Sequence, residues 1–237
     1  MRELAERYKA SIIDGIPETN LVAYYPALHG LGGKLLDRSV YANHGTISGA
    51  TWVRLPSGIY VLSFNGTSDY VDLGNPAGLA LSEFTISLWV KINSATPIGQ
   101  TFTARWSSSA NLYNWLFRIT TLNKIEAWLS SSTVRWAWQV ITAANAFTAG
   151  VWVKVTLVVK LNTPLVLCIN GASNVAATAT PTGIYTGTTN VKVLLGARAT
   201  TAEWLGGSIA LPRFLSRALS VAEDTKHYNR ERHLLGV

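Results

Sequence analysis

The sequence predicts an all-β chain: a two-sheet antiparallel jelly-roll sandwich with short N- and C-terminal helices. Three observations carry this reading. Short runs rich in Val, Ile, Thr and Trp recur between clusters of Asn, Gly, Ser and Pro, and such runs suit the pleated surface of a sheet. Residues 84–92 (FTISLWVKI) alternate strictly, with Phe84, Ile86, Leu88, Val90 and Ile92 on one face. The 237 residues suffice for one large core, and no internal repeat or low-complexity linker divides them.

Taken in order, residues 2–13 read as a short helix, because Leu4, Tyr8 and Ile12 recur at i, i+4 and i+8 and make one apolar stripe. Asp14-Gly15-Ile16-Pro17 ends it, since Gly permits positive φ and Pro removes a donor. A helix this short is marginal alone in water, so something must cover its stripe. The expectation is an assembly arm that reaches a neighbouring subunit through Leu4, Tyr8 and Ile12.

Strands are expected over Ile59–Phe64, Tyr70–Leu73, Phe84–Ile92, Asn114–Ile119, Lys124–Leu129, Val134–Ile141, Val191–Leu195 and Ser208–Leu215. Val151–Leu161 and Leu165–Ile169 form a hairpin about Asn162-Thr163-Pro164. Ser220 and Glu223 have capping-box spacing, which starts a helix near Val221 and carries it into Arg232. The chain thus divides into an N-terminal helix and linker (1–20), a sandwich (21–219), and a C-terminal helix and tail (220–237).

Several segments resemble laminin-G-like domains of the concanavalin A-like lectin/glucanase type. Leu21-Val22-Ala23-Tyr24-Tyr25-Pro26 followed by Asp37-Arg38-Ser39 and Asn43-His44-Gly45 is similar to their opening strand and turn. Phe64-Asn65-Gly66 through Asp69-Tyr70-Val71 resembles their F-D-G-x-x-D-Y-V signature, and Phe84–Lys91 the strand after it. Val151–Val155, Ile169-Asn170-Gly171 and Gly207–Ser220 resemble the later strand, hairpin and closing strand. The resemblance spans residues 21–225 and implies two stacked antiparallel sheets serving carbohydrate binding, adhesion or assembly, often beside a structural calcium ion. Asn65 stands where that signature has Asp, and Ala210-Leu211 where the closing strand has acidic residues. Calcium prefers several anionic oxygens, so no cofactor is expected. Asp69 and Asp72 remain as the surviving candidate ligands for calcium.

Composition narrows the function. Charged residues make up only 14% of the chain and mean hydropathy is +0.20, yet no apolar run approaches the ~18 residues of a membrane span. Membrane insertion is therefore not expected, and the apolar excess belongs in the core and against protein neighbours. Net charge is +7, but the terminal basic residues alternate with Glu3, Glu6, Glu223, Asp224 and Glu231. They read as solvated helix faces rather than a nucleic-acid surface. The first residues mix charges and lack the apolar stretch of a secretory signal. The expected location is the cytoplasm in which the chain is made, then a virion or the exterior after release. Cys168, the single cysteine, lies in an apolar run and reads as a buried small hydrophobe.

No chemistry stands out. A glycosidase needs two carboxylates on one groove, and Glu83, Glu126 and Glu203 each stand alone in the sequence as exposed strand-end charges. The four histidines lack metal-ligand spacing, with His227 and His233 in a solvated tail. Gly30–Lys34 lacks the Lys-Ser/Thr ending of a phosphate loop. No enzymatic activity is expected. The Trp-rich middle offers aromatic faces and polar forks of the kind sugars need. Trp106, Trp128, Arg105, Asn111 and Arg135 are the candidate carbohydrate-binding residues, while Trp115, Trp136 and Trp138 follow core alternation. Two functions follow, and the signal-free start and the missing carboxylates favour the first. One is a structural or adhesive homo-oligomeric subunit of an assembly such as a virion coat, decoration or tail. The other is a lectin module for a cell-surface glycan.

Overall fold

The computed structural model describes residues 20–26, 30, 32–93, 99–107, 111–142, 146–175, 177–187, 191–199 and 203–237. The expected N-terminal helix, with Leu4, Tyr8 and Ile12, lies outside them. The strands are β1 (Leu21–Tyr24), β2 (Lys34–Leu35), β3 (Gly45–Ser48), β4 (Thr51–Arg54), β5 (Tyr60–Asn65) and β6 (Tyr70–Asp72). Then follow β7 (Phe84–Ile92), β8 (Gln100–Ser107), β9 (Leu112–Ile119), β10 (Ile125–Leu129), β11 (Trp138–Ile141) and β12 (Trp152–Val159). The last are β13 (Val166–Ile169), β14 (Ala172–Ser173), β15 (Ala177–Thr178), β16 (Val191–Leu195) and β17 (Gly206–Leu215), before helix α1 (Val221–Leu235).

They form two antiparallel sheets. The first is ordered β14-β13-β12-β7-β17-β5-β4, with β1 also on β17, and the second β15-β11-β10-β9-β8-β16-β6-β3-β2. Between them lies a core that includes Phe64, Phe84, Phe102, Trp115, Phe117 and Phe214. Phe84, Ile86, Leu88, Val90 and Ile92 of the alternating 84–92 segment all join this core, as their period of two requires. Among the described residues no helix is long and apolar enough to cross a membrane.

The opening turn is knitted by one carboxylate. Buried Asp37 accepts from the Tyr24 and Ser39 amides at 2.8 Å, the Asn43 amide at 2.8 Å and the Ser39 hydroxyl at 2.7 Å. His44 Nδ1 accepts from the Asp37 amide at 3.1 Å, so this histidine serves the turn. Tyr25 donates its hydroxyl proton to the Asn43 carbonyl at 2.7 Å, and burial, with Asp37 adding, holds that hydroxyl far above the usual tyrosine range.

Three expectations about elements are corrected. The strand placed at Val134–Ile141 begins only at Trp138, because Trp136 has φ 60° and the left-handed backbone breaks the alternation. Strand β8 was not expected at all, since a register shift at Phe102 and interior-facing Arg105 destroy its period. The C-terminal helix runs three residues past Arg232, to Leu235, where Gly236 at φ 76° returns its amide to the Arg232 and His233 carbonyls. At its start the capping box is formed as expected: the Ser220 hydroxyl accepts from the Glu223 amide and the Glu223 carboxylate from the Ser220 amide.

Helix α1 covers the outer face of the first sheet. Its buried residues are Asp224, His227, Glu231 and Leu235, so the expectation of a solvated polar tail is wrong there. Each carboxylate meets a cation on the sheet: Asp224 pairs with Lys154, and Glu231 with Arg213 while also accepting from Trp89 Nε1 at 2.7 Å. Cys168 is buried as expected, and burial, with Asp224 adding and Lys154 opposing, pushes its thiol up to about 12.

Candidate functional site

The face of the second sheet turned away from the core carries a cluster of aromatic and polar side chains. On β10, Ile125, Ala127 and Leu129 join the core, so Glu126 and Trp128 project to the outer face. On β9, Trp115, Phe117 and Ile119 are core residues, which sends Leu116 and Arg118 outward. Beside them, Ala104, Tyr113 and Leu116 make a separate buried cluster packed by Trp106, Trp128 and Trp136.

Two local irregularities build this patch. Arg105 pairs with Trp115 but Trp106 pairs with Tyr113, leaving Asn114 as an extra residue on β9. That bulge turns Tyr113 to the outer face although simple alternation would place it with Trp115. The left-handed backbone at Trp136 then lays its indole on Tyr113, with centroids 4.7 Å apart and planes 24° from parallel. Trp106 also stacks on Tyr113, at 6.2 Å and 22°, and Trp128 meets Trp136 edge-on at 5.4 Å. The Arg135 guanidinium lies 4.6 Å from the Trp136 ring centroid and 5.5 Å from that of Tyr113.

The other end of this face is ionic. Arg118 donates from Nε to Glu126 at 2.7 Å and from Nη1 to Glu203 at 3.0 Å, while Arg198 reaches Glu203 at 3.3 Å. Gln139 donates to the second Glu126 oxygen at 2.8 Å. Burial alone lowers the Arg118 pKa, but the charges and hydrogen bonds of Glu126 and Glu203 outweigh it and raise the value. The expectation that Glu126 and Glu203 stand alone as exposed charges is therefore corrected. Glu126 is 4% exposed, and both belong to one network that sequence distance hid.

Of the candidate binding residues, Trp106, Trp128 and Arg135 come together in the patch. Asn111 is exposed at the end of the turn entering β9, with φ 53°. Arg105 is a correction. It shares the core-facing side with Trp115, is 0% exposed, and donates to the Gly187 carbonyl at 3.2 Å and Asn75 Oδ1 at 3.3 Å. Burial, opposed by Tyr185, brings its pKa down to about 10. Trp136, assigned to the core by alternation, is also corrected, because it belongs to the outer patch. Tyr113, Glu126 and Gln139 were missed. The signal for Tyr113 is a β-bulge that no periodic pattern encodes.

The two metal candidates are each engaged elsewhere. Asp69 accepts from the Asn65 amide at 2.9 Å and closes its own turn, while Asp72 pairs with Lys192 at 2.8 Å and accepts from the Gly74 amide at 2.7 Å. Asn65 Oδ1 accepts from Thr67 and Ser68 amides at 2.8 and 2.9 Å, and its Nδ2 donates to Ser68 at 2.9 Å. Among the described residues no three His, Cys, Asp or Glu side chains cluster to hold a metal. These residues do not fit a calcium site of the kind the fold family implies. Excess chelator is accordingly expected to leave the melting temperature unchanged in a thermal scan, and a fall of several degrees would overturn this.

Residues 65–223 match a laminin G family model described as the Concanavalin A-like lectin/glucanases superfamily. No curated protein sequence matches the chain. Among solved structures, Trypanosoma rangeli sialidase in complex with sialic acid superposes with TM-score 0.71 at 12% identity, covering 100% of this chain and 38% of that one. A T. rangeli sialidase mutant displaying trans-sialidase activity gives 0.69 at 14% identity, covering 99% and 38%. The binding domain of botulinum neurotoxin serotype G gives 0.65 at 15% identity, covering 88% and 50%. These likenesses are of fold, and the chain spans well under half the length of the sialidases. They correct the expectation of no enzymatic activity: the fold occurs within sialidases as well as in a binding domain, so it excludes no catalysis.

Proposed function

The chain belongs to the concanavalin A-like lectin/glucanase superfamily, and from that premise we propose that it binds carbohydrate on the outer face of its second sheet. The observation that carries this is the aromatic row of Trp106, Tyr113 and Trp136 with Trp128 set edge-on beside it. Pyranose rings have apolar C–H faces and polar edges. Half-buried Trp128 and Trp136 offer flat apolar surface, while Gln139, Arg118 and Glu126 lie next along the same strands as donors and acceptors. Ligand sites combine an apolar lining with a few placed polar groups in this way. The neighbouring sialidase, solved with sialic acid, agrees with a sugar-directed role without identifying the sugar.

A role as a structural or adhesive subunit, for instance of a virion, rests on residues 1–16 and on composition. The described geometry favours the carbohydrate reading. Trp128→Ala should weaken binding to a glycan ligand found by array screening by about tenfold or more, as anchoring aromatics commonly do. Unchanged affinity in a calorimetric titration, with the fold intact, would place the site elsewhere.

A further inference from the structure

We propose that the aromatic end of this face selects an anionic saccharide, one carrying a carboxylate or sulfate, and that Arg135 reads the charge. This rests on the carbohydrate reading and narrows it. The two ends of the face differ in how their cations are satisfied. At the ionic end, Arg118 and Arg198 are paired with Glu126 and Glu203. At the aromatic end, no ion pair among the described residues joins Arg135. Its Nη2 donates to the Tyr113 hydroxyl at a long 3.5 Å. Its Nε, like the Nε1 of Trp106, is shielded from water and has no acceptor among the described residues.

Buried donors are nearly always satisfied in folded proteins, and an exception calls for a missing partner. Both unsatisfied groups here are donors in one patch, so the missing partner supplies acceptors. A neutral hydroxyl could accept, but among the described residues the guanidinium also lacks a counter-charge. Two aromatic ring centroids lie 4.6 and 5.5 Å from its Cζ, and such apolar neighbours lower the local dielectric and strengthen a charged contact. A hydrogen bond to an ionised group is roughly twice as strong as a neutral one, and the planar guanidinium matches an oxyanion with two parallel donors. Half-buried Arg135 keeps part of its side chain open to such an approach. The φ of 60° at Trp136 is uncommon for a bulky residue, and it belongs to the turn that sets Arg135 and Trp136 together over Tyr113.

The test is a calorimetric titration of the intact chain with matched probes: oligogalacturonate against its carboxyl-reduced form, and dextran sulfate against dextran. One charged probe should bind at least about tenfold more tightly than its neutral counterpart, and which pair discriminates separates carboxylate from sulfate. Arg135→Gln should abolish the difference, while Arg135→Lys, which keeps the charge, retains part of it. Equal binding of charged and neutral probes, or a preference untouched by Arg135→Gln, overturns this proposal and leaves the carbohydrate reading standing. If no saccharide binds, both fall together.

Discussion

Replacing Glu231 with alanine is expected to lower the unfolding free energy by about 3–5 kcal/mol, because it removes one partner of a buried ion pair with Arg213. Both side chains of this pair are only 1% exposed. Glu231 also takes the indole proton of Trp89 at 2.7 Å, and the guanidinium lies 4.8 Å from the Tyr24 ring centroid. Removing the carboxylate leaves a cation that water cannot reach. Removing both charges has a different consequence. Arg213→Met combined with Glu231→Leu deletes the desolvation cost along with the attraction, and buried pairs replaced by apolar residues of similar volume are often neutral. The remaining loss should be about 1–3 kcal/mol, from a Trp89 indole N–H without its acceptor. Denaturant titrations of the two singles and the double complete a cycle that isolates the coupling. Additive losses, or a single-variant loss below about 1 kcal/mol, would mean that this pair does not hold α1 to the sheet.

The same pair marks where sequence reasoning stops. The start of α1 was legible because a capping box is local: Ser220 and Glu223 lie three residues apart and satisfy each other's backbone groups. The 84–92 strand was legible because its period is a property of consecutive residues. The buried face of α1 was not. Asp224, His227 and Glu231 read as a solvated stripe until Lys154 and Arg213 are placed opposite the two carboxylates, and Lys154 is 70 residues away. The candidate site divides in the same way. Trp106, Trp128 and Arg135 could be singled out by residue type, whereas Tyr113 needed the Asn114 bulge and Trp136 a left-handed backbone. Arg105 had the right chemistry on the wrong side of its strand.

The second large effect concerns the tip on which α1 rests. Asn170 and Gly171 join β13 to β14 with φ 51° and 79°, the positive pair that a two-residue type I′ hairpin demands. A Cβ on Gly171 would lie 2.8 Å from Thr225 Cα and 3.0 Å from Tyr228 Cβ, both within the helix. The Thr225 hydroxyl donates to the Gly171 carbonyl at 2.5 Å, so the turn and the helix cannot part without losing that bond. Gly171→Ala therefore incurs a left-handed backbone penalty of about 1–2 kcal/mol and an overpacking penalty of about 1–3 kcal/mol. Gly150 supplies the control, since it has φ 77° and nothing within 4 Å of its added Cβ. Gly150→Ala should show the backbone penalty alone. Gly171→Ala should lose clearly more stability in denaturant and become more sensitive to limited proteolysis within residues 221–235, as the helix lifts from the sheet. Equal losses for the two variants would mean that the helix accommodates the methyl group, and that α1 is held by its ion pairs rather than by close contact at the hairpin tip.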